Sequence, residues 1–267
     1  MGIGISAVQT QRFIGNLIES FYAKWDGEKF IRVFEPEKSL PPLAQNAYEN
    51  FRAHISGDDF SCVGAKAALN GDLFRVGFYD EMNTPETNRV LAHDLQSFAA
   101  EQKEASTNYA SFAAVFAAPV IEDEKTWENS LWTQLENLHE LDRRRHAWDS
   151  TVSSNPEDVN FSFSFAETGF FIVGLHPNSS RLARRFSRAT IVFNPHAQFD
   201  RLRELEQYER LQKTIRAREM KLQGSLNPNL SDFGTQSEAR QYSGRAVEEN
   251  WKCPFHAQIE AAKKAGK

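Results

Sequence analysis

Phe161, Phe163 and Phe165 alternate along residues 160–165 and set three phenylalanine rings on one face of an extended segment. Residues 170–175 form a second apolar run, joined to the first through Glu167, Thr168 and Gly169, where glycine can take the positive φ of a turn. The pattern predicts an antiparallel hairpin. A hairpin with an apolar face is not stable alone and needs further strands beside it and helices over it. Residues 73–79, 111–118 (stopped by Pro119) and 189–194 read as those strands. Helical spacing of apolar residues occurs at 8–25, at 43–55, from Cys62 to Asn70 and Gly71, at 84–103 and at 123–144. The last of these carries Trp127, Leu131, Leu135, Leu138 and Leu141 on one face.

The fold class expected is α+β: one compact domain over residues 1–267, a mostly antiparallel central sheet covered by helices. Residues 1–42 read as an N-terminal helix and an irregular connection holding Pro36, Pro41 and Pro42. Ser179 and Ser180 can cap a short helix reaching Phe186, and residues 195–222 read as one long helix with a heavily charged surface. Residues 223–245 read as a long ordered loop with a helical piece at 237–242, and residues 256–267 as a basic tail that frays. No internal repeat is present.

With 40% apolar and 25% charged residues over 267 positions, the chain can bury a sizeable core. Its mean hydropathy is −0.55. No apolar run approaches the roughly 18–20 residues of a spanning helix, so no membrane partner is expected. Met1 to Ser6 lacks a basic stretch and polar residues from Gln9 to Arg12 interrupt any apolar one, so no signal peptide is read and a cytoplasmic location is expected. Two cysteines, Cys62 and Cys253, exclude a disulfide framework.

Charge is unevenly spread. Residues 1–174 hold 14 Lys/Arg against 26 Asp/Glu, and residues 175–267 hold 17 against 10, a balance of −12 and +7 that sums to the net −5. Between His176 and Cys253 the basic residues are 11 Arg and 3 Lys, which suits bidentate recognition of an anion or pairing with the acidic half. Glu204, Glu206, Glu209 and Glu219 interrupt the arginines, and no helix-turn-helix, zinc-finger or RNA-binding pattern accompanies them, so no nucleic-acid partner is expected.

The local feature with most chemistry is Phe60, Cys62, Gly64 and Ala68 at a helix start. Backbone N–H groups and the positive end of the helix would lower the thiol's pKa and aim hydrogen bonds at sulfur. Gly64 leaves room beside the sulfur for a flat ring. The spacing resembles the cysteine-ligand segment of heme-thiolate oxygenases; a buried structural cysteine is the alternative. His176, between Leu175 and Pro177, is the competing iron ligand or a hydrogen-bonded loop histidine, and His196 sits at a similar strand-to-helix junction. Arg181, Arg184 and Arg185, and then Arg240 and Arg245, are candidate partners for carboxylates such as heme propionates, or surface ion pairs. No zinc spacing, phosphate loop, dinucleotide fingerprint or Gly-x-Ser-x-Gly elbow is present.

Six segments carry a broader resemblance: residues 60–68 (FSCVGAKAA), 174–186 (GLHPNSSRLARRF), 193–199 (FNPHAQF), 222–228 (LQGSLNP), 237–245 (SEARQYSGR) and 251–255 (WKCPF). In this order they resemble the YqcI/YcgG family, several members of which are heme proteins that hydroxylate arginine or other guanidines in specialised-metabolite pathways. The resemblance implies a heme b cofactor held through Cys62, or alternatively His176. It further implies O₂ as co-substrate, L-arginine or a related guanidine as substrate, and an external electron donor. N-hydroxylation is the reaction expected; carbon hydroxylation and a non-catalytic heme sensor or carrier are the alternatives. Glu167, Asp142 and Glu238 are candidates for the carboxylate that holds the guanidinium. Homo-oligomerisation stays open.

Overall fold

In the computed structural model, residues 19–105, 109–229 and 234–257 are described. Seven strands form one sheet: β1 (Ala23–Trp25), β2 (Phe30–Arg32), β3 (Phe74–Glu81), β4 (Ser111–Ala118), β5 (Phe163–Phe165), β6 (Thr168–Leu175) and β7 (Thr190–Pro195). Their order is β2-β1-β3-β4-β7-β6-β5, and among the described strands only the β3–β4 pair is parallel. That pair needs a crossover, which α3 (Pro85–Ala105) supplies. The other helices are α1 (Pro42–Ser56), α2 (Val63–Asn70), α4 (Glu124–Asp142), α5 (His196–Glu204), α6 (Tyr208–Gln223) and α7 (Ala239–Tyr242). The class is α+β, and no described helix is long and apolar enough to cross a membrane.

β4 explains the layering. Phe112, Ala114 and Phe116 point to one face and Ala113 and Val115 to the other, and all are buried. On the first face α3 contributes Leu91, Leu95 and Phe98, and α4 contributes Trp127, Leu131 and Leu135. On the second, α1 contributes Ala47, Tyr48 and Phe51, and α2 contributes Ala68 and Leu69. Asp123 caps α4 by accepting from the N–H groups of Lys125 and Thr126, both at 2.8 Å.

Three expectations need correction. The hairpin turn is not at residues 167–169: Phe165 pairs with Thr168, so the loop is Ala166 and Glu167, both left-handed at φ 50° and 56°. That two-residue geometry matches the twist of the flanking strands, and Gly169 is instead a strand residue whose lack of a side chain admits Val152 and Asp149. In the N-terminal region, residues 8–18 of the expected helix lie outside the described residues, and residues 23–25 are strand β1, paired with β2 and β3. Tyr22 and Ala23 bury on opposite faces of the sheet, which strand periodicity allows and one helical stripe does not. The expected helix over 195–222 is two helices, broken where Glu206 takes φ 57°. Of the basic tail, residues 258–267 lie outside the described residues.

Gly174 is where α4 meets the sheet most closely. A Cβ there would lie 2.7 Å from Leu131 and 2.8 Å from Trp127, whose indole N–H donates to the carbonyl of Ser243 at 3.0 Å. Gly174→Ala is therefore expected to destabilise the protein by about 1–3 kcal/mol through overpacking. Urea unfolding measures it; a variant as stable as the parent would mean that α4 is not seated on β6.

Candidate functional site

The second face of the sheet is only partly covered by α1 and α2. Past them, Val173, Leu175 and Val192 form the floor of a cavity of about 510 Å³, within the roughly 300–1,000 Å³ usual for small-molecule and cofactor pockets. Phe51 and Ile55 of α1 wall one side. Tyr208, Leu211, Ile215 and Glu219 of α6 wall another, at the spacing of one helical stripe. The break at Glu206 lets α6 turn back and pack on α2. That stripe is legible in the sequence only once residues 195–222 are divided, since the two helices have different buried faces.

Cys62 is the residue before α2 and lines the cavity, as does Gly64. A Cβ at Gly64 would lie at ordinary contact distance, 3.8 Å from the Cys62 sulfur and 3.8 Å from the Tyr109 ring, so glycine leaves about one methyl's room beside the sulfur. The N–H groups of Ala65 and Gly64 favour the sulfur's anion, as a helix start does, although neither makes a capping hydrogen bond to it. The thiol's pKa is nevertheless raised, not lowered: burial outweighs the pull of those N–H groups and the Arg184 charge, with Glu219 adding to the rise. The resting side chain is a neutral thiol.

Two of the five candidate arginines share this cavity. Arg181 is spent on structure, since its guanidinium donates to Glu219 (Nε at 3.0 Å) and to Ser225, while Ser61 donates to the other Glu219 oxygen at 2.9 Å. Arg184 differs. It donates to the carbonyls of Tyr242 (3.0 Å) and Gly174 (3.4 Å) and has no carboxylate at ion-pair distance among the described residues. Burial lowers its pKa to about 10. Its course depends on Gly244, at φ 87°, where a Cβ would stand 2.7 Å from the Arg184 side chain.

The remaining candidates lie elsewhere. Arg185 is exposed and donates to the Ser179 carbonyl, and Arg240 donates to the carbonyls of Trp251 and Glu248. Arg245 makes a buried pair with Glu128 at 2.9 Å and a second with Glu248. His176 is outside the cavity wall, fully buried, stacked on Trp127 at 5.5 Å, and neither ring nitrogen has a hydrogen-bond partner among the described residues. His196 does line the cavity, 3.3 Å from Asp200, with its pKa lowered by burial. Glu238 also lines it, whereas Asp142 accepts from His146 and from the Ala166 N–H, and Glu167 is exposed on the hairpin turn beside Lys103. Cys253 is buried in the opposite layer, its thiol pushed up to about 12.

A profile of the YqcI/YcgG family matches residues 51–256, a span that contains every residue of the cavity wall. The chain belongs to the YqcI/YcgG family. YqcI of Bacillus subtilis (strain 168), an uncharacterized protein, is 26% identical over 246 residues, covering 88% of this chain and 93% of the relative. No solved structure matches. Within the family span, residues 222–228 hold Ser225 against Arg181, residues 237–245 place Glu238 in the cavity and Gly244 under Arg184, and Phe255 packs on Trp132 and Trp148.

Burial lowers the His176 pKa to about 4 from 6.5. Between those values the unfolded chain binds a proton that the folded one refuses, so stability falls as pH drops through this window. His176→Phe, which keeps a ring over Trp127, removes that contribution. Relative to the parent, the variant should gain roughly 3 kcal/mol on going from above pH 6.5 to about pH 4. Urea titrations across the range measure it; parallel curves would show that His176 is not held neutral.

Proposed function

We propose that this protein is a heme-dependent oxygenase that hydroxylates a guanidine nitrogen of L-arginine or a related guanidine, with O₂ as co-substrate and an external electron donor. The observation that carries the reading is the juxtaposition, in one largely apolar cavity, of the Cys62 sulfur, the side-chain-free Gly64 beside it and the half-buried guanidinium of Arg184, which has no carboxylate at ion-pair distance among the described residues. The donor set suits heme: sulfur for iron, Arg184 for a propionate, and Phe51, Phe60 and Leu175 for the flat apolar face. Arg181 already has its anion in Glu219, so Arg184 is the arginine assigned to a propionate.

The chemistry heme supplies when bound through a thiolate is O₂ activation, because the sulfur donates electron density that favours O–O cleavage. For that ligation Cys62 must give up its proton. The N–H groups of Gly64 and Ala65 and the Arg184 charge are placed to hold the resulting anion, and loss of the proton becomes favourable once a metal cation faces the sulfur. The apolar wall excludes bulk water from the reacting region. Converting N–H to N–OH with O₂ takes up an electron pair and two protons and releases water, and no flavin or nicotinamide fingerprint exists in the chain to provide those electrons.

Protein produced with heme supply, or mixed with hemin, is expected to give a thiolate-type ferrous–CO spectrum, and Cys62→Ala is expected to abolish it. A protein that takes up no hemin would defeat the reading, and an unchanged spectrum in the variant would remove Cys62 as ligand. Arginine-dependent O₂ consumption with a chemical reductant separates an oxygenase from a heme carrier.

A further inference from the structure

Among the described residues three carboxylates line the cavity, and two of them are already matched with a cation. Glu219 is paired with Arg181 and accepts from Ser61. Asp200 is paired with Arg203 at 2.5 Å. Glu238 alone has no basic side chain at ion-pair distance among the described residues. Its Oε1 accepts from the hydroxyls of Ser162 and Tyr242, both at 2.5 Å, while its Oε2 has no hydrogen-bond partner among the described residues.

The group is well braced. Tyr242 belongs to α7 and is fully buried; its hydroxyl also lies 3.2 Å from the Phe170 carbonyl and accepts from the Phe163 N–H at 3.2 Å. Ser162 is fully buried just ahead of β5. These contacts hold Oε1 on the protein side and leave the second oxygen's lone pairs unused. Burial pushes the Glu238 carboxyl up to about 8, so the free protein carries it largely as the neutral acid at pH 7. A half-buried carboxyl kept neutral for want of a cation is stabilised as an anion when a cationic ligand arrives.

The neighbouring wall narrows the cation. Gln241 and Asn160 line the same cavity, and neither side-chain amide makes a hydrogen bond among the described residues. A guanidinium presents five N–H donors in a plane and can engage a carboxylate and two amide oxygens together, which a compact ammonium does less well. We propose that Glu238 is the substrate-binding carboxylate of this cavity, receiving a guanidinium whose remaining donors go to Gln241 and Asn160. The proposal rests on the reading of a guanidine substrate above but not on heme. It singles out Glu238 from Glu167 and Asp142, which do not face the cavity.

The test is calorimetric titration of the full-length protein with L-arginine, L-lysine and L-citrulline, the last having the shape of arginine without its charge. Each titration is made with and without hemin loaded, and hemin uptake is followed separately by absorption. Arginine should bind at least tenfold more tightly than lysine or citrulline. Glu238→Gln, which keeps the acceptor for Ser162 and Tyr242, should weaken arginine at least tenfold while leaving citrulline binding and hemin uptake unchanged. In the parent protein arginine affinity should rise about tenfold from pH 6.5 to pH 8 as the carboxyl becomes easier to ionise, and the variant should be flat over that range. The charged and titratable groups facing Glu238 are Tyr242 from α7 and Arg203 from α5, with no titratable group contributed by Ser162. His196 on the same cavity wall is held below its ordinary value and stays neutral there.

Equal binding of arginine and citrulline, or arginine binding with the parental affinity and pH profile in Glu238→Gln, would overturn the assignment, as would no arginine binding by either form of the parent. Should the variant not fold, the arginine–citrulline ratio and the pH profile of the parent decide. Hemin uptake without Glu238-dependent arginine binding leaves the heme reading standing and removes this one; Glu238-dependent binding by a protein that takes up no hemin does the reverse.

Discussion

β4 has no polar face, and the rest of the molecule follows from that. A strand buried on both sides must sit inside the sheet with helices over it twice. The two layers then form separately, α3 and α4 on one side and α1 and α2 on the other. The first layer is filled by large aromatic rings, Trp127, Trp132, Phe98 and Phe112 among them, all buried. The second is built on Ala113 and Val115, and its two helices leave Val173, Leu175 and Val192 facing a cavity that α6 walls from the other side. The cavity is the space between a short helix that begins at Cys62 and a longer one that arrives from the far side of the chain.

That arrangement brings opposing charges into a low-dielectric setting, and their pairing decides what each can do. The tie from Arg181 through Glu219 to Ser61 fastens α6 to the segment before α2, and its charges are mutually satisfied. Arg184 and Glu238 line the same wall, one cationic and one an acid held largely neutral, and neither has an opposite charge bonded to it among the described residues. Removing such groups from water without a counterion costs free energy. Both find their counterions in the ligands proposed for the cavity.

Much of the element list is legible in the sequence. The strand at 111–118 and the helices at 43–55 and 123–144 are read to within a residue or two, because apolar periodicity over eight or more residues leaves little choice of period. The misreadings have common causes. Ala166 and Glu167 take left-handed conformations without glycine, and Glu206 does so in the middle of a helical pattern with no proline or glycine to mark the break. β1 is three residues long, too short to display alternation, and becomes a strand because β3 offers it a backbone partner. At the site, Cys62, Gly64, Arg181 and Arg184 are legible as residues with chemistry, whereas the stripe of α6 and the choice of Glu238 over Asp142 and Glu167 are not.

By itself the sequence determined the class of the fold, the helix start at Cys62 and the family, since local periodicity, capping and short segments of ordered residues are properties of neighbours along the chain. The tertiary structure decided which charges remain uncompensated. It buried the Cys62 thiol deeply enough to raise its pKa against the pull of its helix, withdrew His176 beneath Trp127 and outside the cavity wall, gave Arg181 to Glu219, and left Arg184 and Glu238 facing the cavity. Desolvation and ion pairing depend on which distant segments meet, and no spacing along the chain encodes that distance.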